Sequence, residues 1–573
     1  MKPSRAKSYV VVASEEAVLG QFLLEPASLR VRPVGPFVEH LLRLGVDLSA
    51  RESKMSVGTI PAVLVSQAIE PWRETFLRAI PQISQLEALA ERHRAEHASR
   101  LQVAPLLAER CVERFPAPED PCYEGLYDFQ NAGVSWLTKA GFRGILGDDM
   151  GLGKTVQALV VSSKVPDMRR LLIVGTSSTL RNWGREAAKW VPGISVRTCV
   201  SSAKTPKLVE QTLADPGQAA LVLTWGLLAS VQDDLARVSW DVVVADEAHY
   251  LKDPNSQRAR ALLPLLLRSP SRILMTGTDM PNRTRELFPL LHAVDPVAWP
   301  SFIPFGEAYC GPRDTKVFGG GTVRTYDGST RRQDLARQIR PYRVRRLKKD
   351  VLEALPEKIL QTLPLDAPPA LAKAYADWRL RVKMTSGQPS PELLTELLRL
   401  RLQTGLAKVE PAAEWISNAV SPSDPVVAFV ALRQVHAELK AKLEAEGHRV
   451  ASIVGETPVH RRQAIVDAFQ GGQIDVLLGS TAMKEGVTLT RSCTSLFVER
   501  WWTPGDESQA EDRTYRIGQD RGVLVARMHL TGSTDDHVVS LMDRKESAID
   551  ALSGQGFVDL LLSDLRRTDA SSP

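Results

Sequence analysis

The chain has 573 residues, 43% of them hydrophobic and 24% charged, and a formal net charge of +5. This composition is that of an ordinary globular protein with room for roughly three to five domains, and it excludes a disordered or fibrous chain. The mild positive excess permits a nucleic-acid partner without requiring one. Five cysteines (Cys111, Cys122, Cys199, Cys310 and Cys493) are scattered without metal-ligand spacing, which points to a reducing compartment.

Taken in order, residues 1–115 form an N-terminal accessory domain. Ser8 to Val12 and Leu29 to Val34 are predicted strands, and Pro36 to Leu44 a helix with Phe37, Leu41 and Leu44 on one face. The apolar run after Lys2, Arg5 and Lys7 is too short for a signal peptide. From Ile69 to Arg114 the pattern is helical and rich in Glu, Arg, Leu and Ala. Two readings stand for this domain: a helical accessory unit, or a surface for DNA or a protein partner. No run reaches the length of a membrane span, so the expectation is an intracellular protein with no membrane partner.

Pro116 to Pro121 reads as a linker. Short apolar runs then alternate with helical stretches. Arg143 to Gly147, Leu171 to Val174, Ala220 to Thr224, Trp240 to Ala245 and Arg272 to Met275 are strands. Thr179 to Trp190, Gln257 to Leu267 and Arg285 to Leu291 are helices. Such alternation predicts a parallel sheet covered on both faces, here over residues 116–295. Residues 296–424 break the rhythm and read as helical and basic insertions plus a linker. Within them, Tyr342 to Lys349 is a basic run, for which a solvated face is one reading. A second alternation fills 425–555, with strands at Val426 to Val430, Arg449 to Val454, Ile474 to Leu478, Leu496 to Glu499 and Val523 to His529. Residues 556–573 are a polar tail.

Three clusters carry chemistry. Gly147 to Val156 reads Gly-Asp-Asp-Met-Gly-Leu-Gly-Lys-Thr-Val. Gly151 and Gly153 allow a tight turn that brings backbone N–H groups onto a phosphate. Lys154 supplies a cation for the β- and γ-phosphates, and the Thr155 hydroxyl is suited to Mg²⁺. Asp148 departs from the strict phosphate-loop pattern, standing where its first glycine belongs. The second cluster is Val242 to Ala245 followed by Asp246 and Glu247, a strand that delivers two acids to its carboxyl end. Ligands bind at that edge of an open α/β sheet. Asp246 is the candidate metal holder and Glu247 the candidate to orient or deprotonate a water. His249 either couples this site to the second lobe or packs. The third cluster is Gln509 to Gln519, which begins as a helix and carries Arg513 and Arg516 three residues apart. Guanidinium groups of this kind neutralise the charge on a transferring phosphoryl group.

These motifs resemble the Swi/Snf class of superfamily-two helicase-like ATPases: Asp148 to Thr155, Asp246-Glu-Ala-His249, Thr276-Gly-Thr278 and Gln509 to Gln519 occur in the right order. Asp148 is the usual residue of that class at its position. Phe305 to Cys310, Arg345 to Val351 and Gln509 to Arg513 are most similar to the HepA-related annealing-helicase subgroup. The resemblance implies two RecA-like α/β lobes with helical insertions, ATP in the cleft between them, and Asp148, Asp149, Met150, Gly151, Leu152, Gly153, Lys154 and Thr155 on the nucleotide. Gln130, within Leu126 to Gln130, would recognise adenine, with Phe129 beside it. Thr179, Trp183, Thr224, Ser480, Thr481 and Lys484 match elements that grip a DNA backbone, and Thr276 and Thr278 match the segment coupling hydrolysis to lobe movement. Trp501 and Trp502 precede the arginine segment, where packing and base stacking are both open.

Asp279, Glu485, Tyr515 and Asp128 depart from the class pattern. All four lie in coupling or DNA-facing elements, and none removes a catalytic group. The expected activity is therefore an ATP- and Mg²⁺-dependent DNA translocase that remodels forks or reanneals strands. The alternatives are a strand-separating helicase, a displacer of DNA-bound proteins such as RNA polymerase, and a DNA-binding scaffold without hydrolysis.

Overall fold

The computed structural model describes residues 10–536 apart from 14–17, 26–27, 34–35, 45, 47–49, 53–54, 111–122, 178, 278–283, 317–321, 352–356, 385–390, 484–486, 502–503 and 517. The chain divides into two compact units with the boundary after Val351, the short stretch Met150–Leu152 grouping with the second.

The first unit opens with five strands: β1 (Val10–Ala13), β2 (Val18–Glu25), β3 (Ser28–Pro33), β4 (Ala50–Glu52) and β5 (Met55–Pro61). They pair antiparallel in the order β1-β2-β3-β5-β4. Four helices accompany them: α1 (Pro36–Arg43), α2 (Ala62–Ile69), α3 (Arg73–Ala79) and α4 (Ile83–Arg110). The helical reading of residues 1–115 thus holds only for the second half. Along β3 the alternation is clean, with Leu29, Val31 and Pro33 inside. In β2, Val-Leu-Gly-Gln-Phe-Leu-Leu-Glu, no period-2 signal survives. The core is aromatic, with Phe22 edge-on to Phe37 at 5.5 Å and to Phe76 at 4.8 Å.

α4 fastens this domain to the rest of the unit through buried polar groups. Arg92 donates to Leu267 O at 2.8 Å, and the buried His93 ring lies 2.9 Å from the same oxygen. Glu96 pairs with the fully buried Arg272. His97 Nδ1 sits 2.8 Å from Asp295. Arg100 donates to Pro341 O, Ala140 O and Arg143 O. These residues recur at three- and four-residue spacing, so one helix face makes all the contacts. Burial pushes the His93 imidazole down to about 3, so it packs as the neutral form.

The rest of the unit is a parallel sheet. Its strands are β6 (Arg143–Leu146), β7 (Arg170–Gly175), β8 (Ser195–Cys199), β9 (Ala219–Thr224), β10 (Val242–Ala245), β11 (Ser271–Met275) and, after a hairpin of β12 (Arg313–Lys316) and β13 (Thr322–Thr325), β14 (Arg343–Val344). The order is β14-β6-β11-β10-β7-β9-β8, every pair parallel. Helices α5 (Asp128–Lys139), α6 (Lys154–Ser163) and α7 (Leu180–Trp190) flank it. Leu172, Val174, Leu221, Leu223 and Val243 enter one core. Their neighbours Leu171, Ile173, Ala220, Val222 and Val242 enter another. Burial on both faces is why these strands read as continuous apolar runs.

The second unit repeats this plan. β15 (Lys358–Asp366), β16 (Val426–Phe429), β17 (Val450–Ile453), β18 (Val476–Gly479), β19 (Thr494–Phe497) and β20 (Val523–Thr531) are ordered β15-β20-β19-β16-β18-β17, all parallel. The fold is therefore α/β with two parallel-sheet units, as the alternation implies. The stretch 296–424, expected as a separate insertion, is divided between them: β14 joins the first sheet and β15 forms an edge of the second. Two residues of β14 are too few to carry a strand signal. Among the described residues no helix is long and apolar enough to cross a membrane.

Candidate active site

The strand order sets the site. β11 lies between β6 and β10. The loop after β6 and the acids after β10 therefore flank the tip of β11, where Thr276 is buried. All three ends are carboxyl ends of parallel strands, the edge at which α/β sheets hold ligands.

The loop is built for an anion. Gly151 (φ 83°) and Gly153 (φ 75°) take left-handed backbone that other residues enter at a cost. Gly153 caps the N-terminus of α6, so the helix presents its free N–H groups and positive end to the turn. A Cβ on Gly153 would also overlap the Gln130 amide nitrogen. Gln130 thus sits directly against the loop, fixed by accepting from Tyr127 N at 3.1 Å. Lys154 is buried and donates to Asp148 O at 2.7 Å and Asp149 O at 3.2 Å. Burial lowers its pKa, opposed by the charges of Glu247, Asp148, Asp246 and Asp149. Thr155 stands in the first turn of α6. Met150 and Leu152 occupy the loop beside the two glycines.

Asp148 belongs to this loop by its backbone. Its side chain is fully buried and turned to other partners: Oδ1 accepts from Arg346 N at 3.1 Å and Nε at 2.9 Å, and Oδ2 from Arg346 NH2 at 2.5 Å and Gln157 Nε2 at 3.1 Å. A carboxylate so engaged offers nothing to a phosphate. Asp149 is half-buried and accepts from Lys348 N at 3.1 Å and Arg345 at 3.4 Å. The basic run Tyr342 to Lys349 is therefore not a solvated face. Tyr342, Val344, Arg346 and Lys348 alternate inward, a strand period hidden because two of the inward residues are charged.

Asp246 and Glu247 lie at the tip of β10, both buried. Trp183 Nε1 donates to Asp246 Oδ2 at 3.2 Å and Trp225 Nε1 to Asp246 O at 2.8 Å. Burial and the neighbouring Glu247 push the Asp246 carboxyl above the usual range. Glu247 holds a left-handed backbone, φ 52°. Strain of this kind in a non-glycine residue clusters at functional sites. His249 Nδ1 lies 3.2 Å from Glu247 Oε2, so His249 sits on the candidate base rather than in a core.

The residues fit Mg²⁺. Two carboxylates are buried side by side with Lys154 as the near cation, and Asp246 is short of positive charge. Thr155 and Asp246 supply hard oxygen donors. Among the described residues no cluster of three or more His, Cys, Asp or Glu could hold an ion alone.

In the second unit the helix Pro504–Glu511 ends before Arg513 and Arg516, which lie in the following turn. Arg513 is buried and donates to Gln509 O at 2.9 Å and Val487 O at 3.4 Å. Arg516 is half-buried and donates to the Thr488 hydroxyl at 3.0 Å. Trp501 packs against Phe429 and Phe497 and is 2% exposed, so it stacks on no base.

Of the residues matched to DNA-gripping elements, Thr179, Thr224 and Ser480 are half-buried and Thr481 is exposed. Trp183 is 1% exposed and bonded to Asp246. It reaches no DNA and instead positions the acid. Thr278 and Lys484 lie outside the described residues. Sequence reasoning missed Gln157 altogether and missed the partners of two others. Trp225 stands beside Thr224 in an element matched to DNA gripping but donates to Asp246 O, and Arg346 stands in the Arg345 to Val351 stretch but holds Asp148.

Residues 129–404 match the SNF2-related domain and residues 408–518 the helicase conserved C-terminal domain. The chain belongs to the SNF2-related family of helicase-like ATPases. It is 28% identical over 435 residues to the DNA annealing helicase and endonuclease ZRANB3 of Mus musculus, covering 73% of this chain and 40% of that protein. It is 30% identical over 431 residues to the SWI/SNF-related matrix-associated actin-dependent regulator of chromatin subfamily A-like protein 1 of Xenopus tropicalis, covering 73% and 44%. A solved structure, the Sulfolobus solfataricus SWI2/SNF2 ATPase core in complex with dsDNA, aligns at 24% identity and a TM-score of 0.38 over 79% of this chain and 98% of that one. This SNF2-related chain spans less than half the length of the two curated relatives.

Proposed function

We propose that this SNF2-related ATPase is a motor that hydrolyses Mg²⁺-ATP to move along duplex or branched DNA, remodelling forks or reannealing strands. The observation that carries the reading is the convergence of Lys154, Asp246 and Glu247 at one sheet edge, on a loop whose glycines take the conformation a phosphate cradle needs. Similarity to proteins named as DNA annealing helicases supports the choice of DNA and of reannealing.

In this reading Lys154 and the α6 N-terminus bind the β- and γ-phosphates. Gln130 meets the base. Thr155 and Asp246 would hold Mg²⁺, which when bound would neutralise phosphate charge. Glu247 orients the attacking water and takes its proton, with His249 beside it. Arg513 and Arg516 are the candidate cations for the transition state. Hydroxyls at Thr179, Thr224, Ser480 and Thr481, with Lys484, serve DNA phosphates, and Thr276 and Thr278 couple them to the site. Phosphate contacts fix register but read no sequence, so binding should be weakly sequence-specific and strongly salt-dependent.

The test is the ATPase rate of the chain with duplex, single-stranded and forked DNA and with RNA, followed by unwinding and annealing assays. Stimulation by duplex or forked DNA with annealing is the expected result. Stimulation by RNA alone would reject the substrate, and unwinding without annealing would replace this reading with a strand-separating helicase.

A further inference from the structure

The segment 343–348 grips the phosphate loop at more points than sheet pairing requires. Gly147 N donates to Val344 O at 2.8 Å and Asp149 N to Arg346 O at 3.0 Å, continuing the β14–β6 ladder past its end. Gly147 is needed for this approach, since a Cβ there would lie 2.8 Å from Arg343 Nε and 3.2 Å from Val344 O. The side chain of Arg346 then reaches across the loop base. It holds both oxygens of Asp148, donates to Gln157 Oε1 at 2.9 Å, and donates to Phe129 O. Gln157 lies on α6, the helix that presents its N-terminus to phosphate. Phe129 precedes Gln130, the candidate adenine contact. One guanidinium thus ties together the strand end, the helix and the base-recognising segment, and it is 5% exposed. A Cβ on Gly133 would collide with both Arg346 and Gln157, so α5 leaves room for this knot.

We propose that Arg346 is a positioning residue for ATP, setting the phosphate loop and the Gln130 segment in register through the Asp148 carboxylate. Asp148 stands at the first glycine position of the loop because it receives Arg346, and it touches no phosphate. The inference rests on the ATPase reading above. Lysine cannot replace this arginine, because an ammonium lacks the planar fork that meets two oxygens and the Gln157 amide at once.

The test measures KM for ATP, kcat, and the Kd of a fluorescent ADP analogue for wild type, Arg346→Lys, Arg346→Gln alone and the uncharged pair Asp148→Asn with Arg346→Gln. Thermal melting is recorded alongside. Arg346→Lys should raise KM and Kd about tenfold while kcat at saturating ATP stays near wild type. The uncharged pair keeps the shape and leaves no orphaned charge, and should recover affinity relative to Arg346→Gln alone. A Kd for Arg346→Lys equal to wild type overturns the inference and leaves the ATPase reading intact. So does a fall in kcat with KM unchanged, which would move Arg346 into the chemical step. Absence of nucleotide binding in the wild type overturns the ATPase reading, and this inference with it.

Discussion

Lys154 in the first unit and Lys408 in the second are both buried, and these two lysines are built for different ends. Lys408 in the second unit is fully buried, donates to Val498 O at 3.0 Å and Met528 O at 3.3 Å, and pairs with Asp535. Its charge has an anionic partner of its own, and its donors are spent on a carbonyl within β20 and one just after β19. Lys154 in the first unit is also buried, but it faces several carboxylates, is held by loop carbonyls, and follows two left-handed glycines. Burial of a lysine therefore marks no site by itself. What marks Lys154 is a local excess of acid and a strained loop, features that a substrate phosphate with its metal would balance. The arginines repeat the contrast within the second unit. Arg513 is buried and donates to backbone carbonyls, whereas Arg516 is half-buried and donates to the Thr488 hydroxyl.

The largest effect expected from this contrast is at Arg516. Arg516→Ala should lower kcat by about 10³–10⁵ with ATP affinity and melting temperature unchanged, measured by single-turnover hydrolysis. Unchanged turnover would leave the second unit without its cation. Lys408→Met should do the reverse. It orphans Asp535 in the interior and should cost about 3–5 kcal/mol of stability by denaturant titration, while the folded fraction keeps its ATP affinity. An equal loss of affinity would erase the distinction between the two lysines. Trp183→Phe keeps the volume but removes the bond to Asp246. The half-saturating Mg²⁺ for hydrolysis should rise by roughly 10–100-fold. Smallest of all is Arg78→Ala, which deletes an exposed pair with Glu74 on α3. It should leave melting and ATPase unchanged, and a clear loss would show that the N-terminal domain contributes more than its buried contacts.

Both parallel sheets were legible in the sequence because strands buried on two faces are apolar runs, as in Val242 to Ala245 and Val426 to Phe429. The phosphate loop was legible because its glycines and Lys154 are local in sequence. The N-terminal sheet was legible only in part: Ser8 to Val12 and Leu29 to Val34 mark β1 and β3, while β2 lacks alternation and β4 has three residues. The Arg346 knot was hidden for another reason. Its four members stand at 129, 148, 157 and 346, and a buried ion pair leaves no periodic trace when each half looks like surface charge. Trp183 was matched to a DNA-gripping element by the family resemblance alone, whereas its indole turns inward to Asp246.

The account rests most directly on Lys154, and the measurement that tests it is the DNA-stimulated ATPase rate of Lys154→Ala beside its melting curve. The account predicts a protein that melts like the wild type, retains DNA binding, and hydrolyses no ATP at any DNA concentration. Turnover near the wild-type rate in a folded Lys154→Ala would contradict it.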